Sequence, residues 1–366
     1  MKIDSDFPGG NIVVDQIASD TIDVHQDLRD TSEWWFWWAL RVTGGAGRTV
    51  TFRFTNGDVF TTGGPCASWN GVDWHWLGRT EAKQTSFTLT IPADVDEAYF
   101  ALAPLYTQRH LELFLDSLSS CALERRTLCI SEQGRSVELL YAPATVQTEA
   151  RTVAIIARTH ACEVSASFVV EGVLRHWLTS QDSDGSWLRQ HYNLLVVPFM
   201  DKDGVENGDQ GKARRPHDHN RDFCDSALYA SVRALQHLLL RHAGSLDLFL
   251  DVHSPWIRGG LNDTIFFIGL PEPWQTELNR LTAFMEQLHA GPLPYRATDT
   301  IGHGVDWNKG EASTSVGWVR EAINPSFAGL VEVGYSVANG VAITPRGLRD
   351  FGTSLARAIA LYLQAA

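Results

Sequence analysis

The chain has 366 residues, 44% of them hydrophobic, and a formal net charge of −13. That length and apolar content suffice for one large domain, or two, with a real core. The acidic balance excludes general attraction to nucleic acid or anionic lipid, because such binding needs a basic footprint.

The opening segment, MKIDSDFPGGNIVVDQ, carries acids where a secretory leader has its apolar stretch, so no signal peptide is expected. No apolar run approaches bilayer-spanning length, and no membrane association is expected. The five cysteines (Cys66, Cys121, Cys129, Cys162, Cys224) are odd in number and scattered, with no CxxC pair. Reduced thiols in a cytoplasmic protein are the expectation.

Residues 1–104 read as β structure. RTVTFRFTNG, from Arg48, alternates Val50, Phe52 and Phe54 with polar neighbours and then reaches an Asn-Gly turn. SFTLTIPADVDEAYFALAP, from Ser86, repeats the alternation, and a small sandwich is predicted. Tryptophans crowd this half, at WWFWW from Trp34 and WNGVDWHW from Trp69. Aromatic packing between sheets is the expected use, ahead of a carbohydrate platform.

Residues 105–366 change texture. YTQRHLELFLDSLSS carries Leu111, Phe114, Leu115 and Leu118 at helical spacing. VELLYAP and TVAIIAR are short apolar runs suited to strands buried on both faces. SASFVVEGVLRHWLTS is a predicted helix, YNLLVVPFM a strand and SALYASVRALQHLLLRHA a long helix. LDLFLDVHS and AGLVEVGYS follow as strands, and RGLRDFGTSLARAIALYLQA closes the chain as a helix. The pattern predicts α/β layering on a parallel or mixed sheet, whose ligands sit at the carboxyl ends of strands.

The polar residues just past those ends are His160 and Glu163, a loop from Met200 to Phe223, then His253, and finally Glu332. Two imidazoles and a carboxylate are a zinc donor set that leaves one position open for water. His160, Glu163 and His253 could form it. Asp251, two residues before His253, could support that histidine or simply be buried in the sheet. HxxE alone is weak evidence, since a capped helix start has the same pattern. The joint occurrence at strand ends carries the argument.

These segments resemble the zinc metallocarboxypeptidases, most closely their cytosolic carboxypeptidase-like branch. ARTHACEVSAS is similar to the branch's strand-end HPGE segment, VVPFMDKDGVENGD to its NPDGV loop and DHNRDF to its Asn-Arg pair. LDVHSP is similar to the strand bearing the third ligand, and WVREAINPSFAGLVEVGYS to the segment bearing the general base. The likeness runs from about Tyr106 to the C-terminus. It implies a three-layer, mixed-sheet α/β catalytic domain at 105–366, preceded by the β-sandwich at 1–104. It also implies one Zn²⁺ held by His160, Glu163 and His253, with Glu332 as general base. Asn220 and Arg221 would hold the substrate's terminal carboxylate. Arg214 would polarise the scissile carbonyl, with Arg215 the runner-up for that role. The implied substrate is the C-terminus of a peptide or protein. Acidic tails would suit the basic cluster Lys212, Arg214, Arg215 and Arg221 if those residues face the side-chain pocket.

Departures from the family pattern are specific. Cys162 lies in the metal turn, where a packing role is expected. His219 stands where leucine is usual; it and His217 could line the pocket or be exposed, and exposure is the expectation. Trp307 and Trp318 occupy the region where digestive relatives carry a substrate-closing tyrosine. Two other readings remain: an aspartoacylase-type amidohydrolase acting on N-acyl amino acids, and a binding protein without turnover.

Overall fold

A computed structural model describes every residue except 30, 32, 33, 147 and 366. The first half forms two sheets. One has five strands, in the order Lys2–Asp4, Ala39–Thr43, Glu97–Ala101, Cys66–Ser68, His75–Trp76. The other has four, in the order Val13–Ala18, Thr21–His25, Thr49–Phe54, Ser86–Thr90. The predicted alternation holds in Thr49–Phe54, where Val50, Phe52 and Phe54 are buried. Aromatic pairs join the sheets: Phe52 and Phe100 have ring centroids 5.5 Å apart, and Phe87 and Phe100 5.8 Å.

The second half is built on one eight-stranded sheet. Its order is Glu124–Ile130, Ser136–Ala142, Tyr192–Val197, Arg151–Ala157, Leu246–His253, Phe327–Val333, Ile265–Ile268, Thr300–Ile301. The four central strands, from Tyr192–Val197 to Phe327–Val333, are mutually parallel. Antiparallel strands flank them on both sides. The sheet is therefore mixed, as predicted. Every residue of Leu246–His253 is buried, so both faces of the sheet are covered and the half has three layers.

One helical layer gathers around the C-terminal helix Pro345–Gln364, against which Val164–Thr179, Ser183–His191 and Trp274–Leu288 pack. Small residues allow the closest of these contacts. A Cβ on Gly172 would lie 2.1 Å from the Arg349 carbonyl oxygen, and one on Gly352 would lie 2.1 Å from that of Val169. Ser315–Ala322 packs against the two strands that end at the site, Leu246–His253 and Phe327–Val333. Among the described residues no helix is long and apolar enough to cross a membrane.

The halves are tied together beside the predicted site. Asn11 Nδ2 donates to the Gly208 carbonyl at 2.8 Å, and Trp37 N donates to Gln210 Oε1 at 2.9 Å. The tryptophan-rich segment also reaches across. Trp34, Trp35 and Phe36 pack on Trp256, with centroids 6.0, 5.6 and 5.1 Å away.

Candidate metal centre and surrounding cavity

The parallel register sets the site. Ile156 pairs with Asp251 and Ala157 with Val252, so the strands Arg151–Ala157 and Leu246–His253 end level with each other. His253 pairs directly with Glu332 on the next strand. Side chains alternate across a strand, so Asp251 and His253 share a face. All the groups read from the sequence at these ends therefore open on one edge of the sheet.

The turn carrying His160 and Glu163 is braced from below. Arg158 has φ +55° and is fully buried. Its guanidinium donates to the Ala161 carbonyl at 2.9 Å, the Tyr106 carbonyl at 2.9 Å and Ser167 Oγ at 3.1 Å. Gly211 presses against the other side: with φ +88°, a Cβ there would sit 2.4 Å from Ala161 N. Glu163 is the residue on which helix Val164–Thr179 begins.

Ligand atoms of His160, Glu163 and His253 lie within 4.8 Å of one another, and all three residues are buried. His160 Nδ1 is 2.9 Å from Glu163 Oε1, and His253 Nδ1 is 2.8 Å from Glu163 Oε2. Each ring turns its other nitrogen to a second carboxylate. His253 Nε2 lies 2.8 Å from Asp251 Oδ2, and His160 Nε2 lies 3.4 Å from Asp218 Oδ2. Carboxylates behind ligating imidazoles fix the tautomer and ring orientation in metal sites. Asp251 itself accepts from Ser315 Oγ at 2.6 Å and from Thr159 Oγ1 at 3.1 Å.

The donor set fits a zinc ion. Two imidazoles and one carboxylate converge from two separate strand ends. Glu163 Oε2 is buried and has no hydrogen-bond partner among the described residues, although His253 Nδ1 is 2.8 Å away. Ligand atoms of three buried side chains gathered this closely, with one carboxylate oxygen left over, match what a shared cation needs. Burial works to raise the Glu163 carboxyl, but His253, Lys212 and His160 outweigh it and hold the group well below the usual range. Burial works against charge on His253, yet Asp251 and Glu163 outweigh it and hold the imidazole well above its ordinary value.

A cavity of about 560 Å³ opens over this cluster. His160, Glu163, His253, Glu332, Asn220 and Arg221 all line it. Burial pushes the Glu332 carboxyl up to about 7, against the pull of Lys212 and His253, and Oε2 has no hydrogen-bond partner among the described residues. Asn220 sits in a short turn, His219–Arg221, and its Oδ1 accepts from Ser315 N at 2.9 Å. Arg221 Nε pairs with Glu311 Oε2 at 2.7 Å.

Arg214 and Arg215 are placed elsewhere. Both line a separate cavity of about 260 Å³. Arg214 forms ion pairs with Asp201 at 2.8 Å and Asp209 at 3.0 Å, which hold its guanidinium away from the cluster. Arg215 is exposed. Lys212, two residues before Arg214, does reach the cluster. Its Nζ lies 2.8 Å from Glu163 Oε1 and donates to the Ser254 carbonyl at 2.6 Å and the Pro255 carbonyl at 3.0 Å. Burial disfavours its charge, but Glu163, Cys162 and Glu332 outweigh that and raise it to about 12.

Arg320, without a role from the sequence, lines the main cavity, and among the described residues its buried Nη1 has no hydrogen-bond partner. Its signal was its place in WVREAINPSFAGLVEVGYS, twelve residues before Glu332. The expected exposure of His219 does not hold. It is 3% exposed and stacks on Tyr229 with centroids 3.7 Å apart. His217 is partly buried, 2.7 Å from Asp222 Oδ1. Cys162 has the packing role expected of it: buried, with Sγ accepting from Gln210 Nε2 at 2.8 Å and 3.3 Å from Tyr335 Oη. Trp307 lines the cavity, whereas Trp318 packs against the core.

Known proteins resemble this chain in sequence and in fold. Residues 3–102 match the cytosolic carboxypeptidase N-terminal domain, and residues 117–244 match the zinc carboxypeptidase domain. An uncharacterised protein of Zymomonas mobilis is 25% identical over 69% of this chain and 67% of its own length. Mouse cytosolic carboxypeptidase 6 is 27% identical over 50% of this chain. The match spans 36% of that relative's length. The crystal structure of a metallo-carboxypeptidase from Burkholderia cenocepacia superposes with a TM-score of 0.82 at 21% identity, covering 100% of this chain and 99% of that one. At that identity the superposition speaks for the fold. Matched in both halves, this chain belongs to the zinc carboxypeptidase family.

Proposed function

We propose that the chain is a zinc-dependent carboxypeptidase that removes terminal amino acids from peptides or protein tails. The observation that carries this reading is the convergence of His160, Glu163 and His253 beside Glu332 in one cavity. In this reading the three residues hold the ion. Zinc bound there supplies a Lewis acid that makes water nucleophilic near neutral pH and polarises a carbonyl. Glu332 takes the proton of the attacking water and hands it to the leaving amine. Lys212 faces the oxygen that becomes negative, the part the sequence had given to Arg214. Asn220 and Arg221 hold the substrate's terminal carboxylate, a planar anion suited to a guanidinium.

Arg320 supports an acidic terminal residue. A buried guanidinium nitrogen without a partner costs free energy unless a ligand satisfies it, and a side-chain carboxylate would do so. The proposal places the domain division at 104/105, supported by the last strand of the two small sheets ending at Ala101 and the first helix starting at Gln108. A cytoplasmic location is supported by five free cysteines and by the name of the mouse relative.

Peptides differing only in their last residue, followed by mass spectrometry, test the reading. Single-residue release from the C-terminus is expected, with Glu or Asp leaving about tenfold faster than Leu, the scale of a hydrogen bond to a charged group. Arg320→Met should erase that preference while leucine release persists. Cleavage of N-acyl amino acids with no action on peptides would instead select the amidohydrolase reading.

A further inference from the structure

The guanidinium assigned to the substrate's carboxylate already holds a carboxylate, that of Glu311, at 2.7 Å. Both side chains are roughly half-exposed, at 43% for Arg221 and 48% for Glu311, and both line the main cavity. Glu311 lies in the segment 302–314, between the strand Thr300–Ile301 and the helix Ser315–Ala322. Most of that segment is exposed. Its backbone is anchored on both sides of Glu311, and the Ser313 carbonyl accepts from Phe223 N at 3.1 Å. Asn308 is buried, with Nδ2 donating to the Gly269 carbonyl at 2.8 Å and the Gly302 carbonyl at 3.1 Å. The Glu311 carbonyl accepts from Thr314 Oγ1 at 2.8 Å, beside the cap of the following helix. Glu311 can therefore leave Arg221 by rotating its side chain, with no movement of the fold.

We propose that Glu311 is a resident competitor for the substrate. Its carboxylate occupies Arg221 in the free protein, and the terminal carboxylate of a peptide takes its place on binding. The two groups have the same charge, and the same planar oxygens meet the same donor. The exposure of the pair sets its strength: a solvent-screened ion pair is weak, so it yields to a ligand that other contacts also hold. Glu311 then tunes affinity. Substrates offering a carboxylate and further anchoring contacts displace it, and weakly held anions do not. This inference rests on the carboxypeptidase reading of Arg221.

The test compares wild type with Glu311→Gln, both zinc-loaded, in two measurements. In peptide hydrolysis the variant should show a KM about two- to fivefold lower, the scale of an exposed ion pair, with kcat unchanged. In calorimetry with free glutamate as the probe, its Kd should fall by the same factor. Calorimetry needs no turnover, so the two ideas fail separately. Absence of peptide cleavage by wild type would defeat the hydrolase reading and leave calorimetry to decide on Glu311. Equal or weaker glutamate affinity in the variant, or no binding by either protein, would overturn the competitor.

Discussion

Glu332→Gln is expected to retain one zinc per chain and to lose peptide hydrolysis by about 10²–10⁴-fold, the usual contribution of a positioned general base. The substitution keeps the shape of the side chain and removes its ability to accept a proton. Glu332 pairs with His253 in the sheet register, so it stands next to the ligand cluster without belonging to it. Its burial favours the neutral form and pushes its carboxyl up to about 7, and a bound dication would act in the opposite direction. With the ion bound, the carboxylate is therefore favoured, which is the form a base needs. The effect should fall on kcat, with KM little changed, because glutamine can still accept a hydrogen bond. Hydrolysis by the variant at the wild-type rate would remove Glu332 from the chemistry.

The second large effect is expected at Lys212. Lys212→Met should reduce kcat by about 10²–10³-fold, the typical loss on removing one donor to a developing oxyanion. Lys212→Arg should restore part of it. Lys212 Nζ also touches Glu163, so zinc content must be measured alongside the kinetics. Full zinc with low kcat places Lys212 in the reaction, whereas loss of zinc together with activity assigns it to holding the ligand in place. A parallel Arg214→Met variant should keep kcat near the wild-type value, because its partners are Asp201 and Asp209 in the smaller cavity. Arg214→Met losing as much kcat as Lys212→Met, with zinc retained, would return the carbonyl-polarising role to Arg214.

The contrast between these two residues explains what could be read in advance. His160, Glu163, His253 and Glu332 were legible because each follows a run of buried strand residues, and parallel strands bring their ends together whatever the loops do. Loop direction is a different matter. Lys212 lies between two left-handed positions, Gly211 at φ +88° and Ala213 at φ +48°. These reverse the path within a few residues, so Lys212 and Arg214 turn to different cavities. Nothing in the letters GKARR says which cation faces the cluster. His219 illustrates the same limit. Its burial depends on stacking with Tyr229, ten residues further on, after a turn that has no periodicity to read. The short strand Ile265–Ile268 has no sequence signature, because four apolar residues carry too little pattern, although it sits beside the strand bearing Glu332.

In the tryptophan-rich half, aromatic packing was legible but its reach was not. The Phe52, Phe87 and Phe100 contacts are the expected inter-sheet core. Trp35, from the same half, instead lines the cavity above the candidate ligand cluster and leans on Trp256, three residues past His253. That contact joins residues more than two hundred positions apart, and no local pattern encodes it.

The most direct measurement is zinc content set against hydrolysis in the same sample. Protein purified gently and analysed by atomic emission should carry one zinc per chain, and a chelator should abolish release of C-terminal residues. Restoring zinc should bring release back in proportion to the metal bound. Less than half an equivalent of zinc, or peptide hydrolysis indifferent to the chelator, would contradict the account.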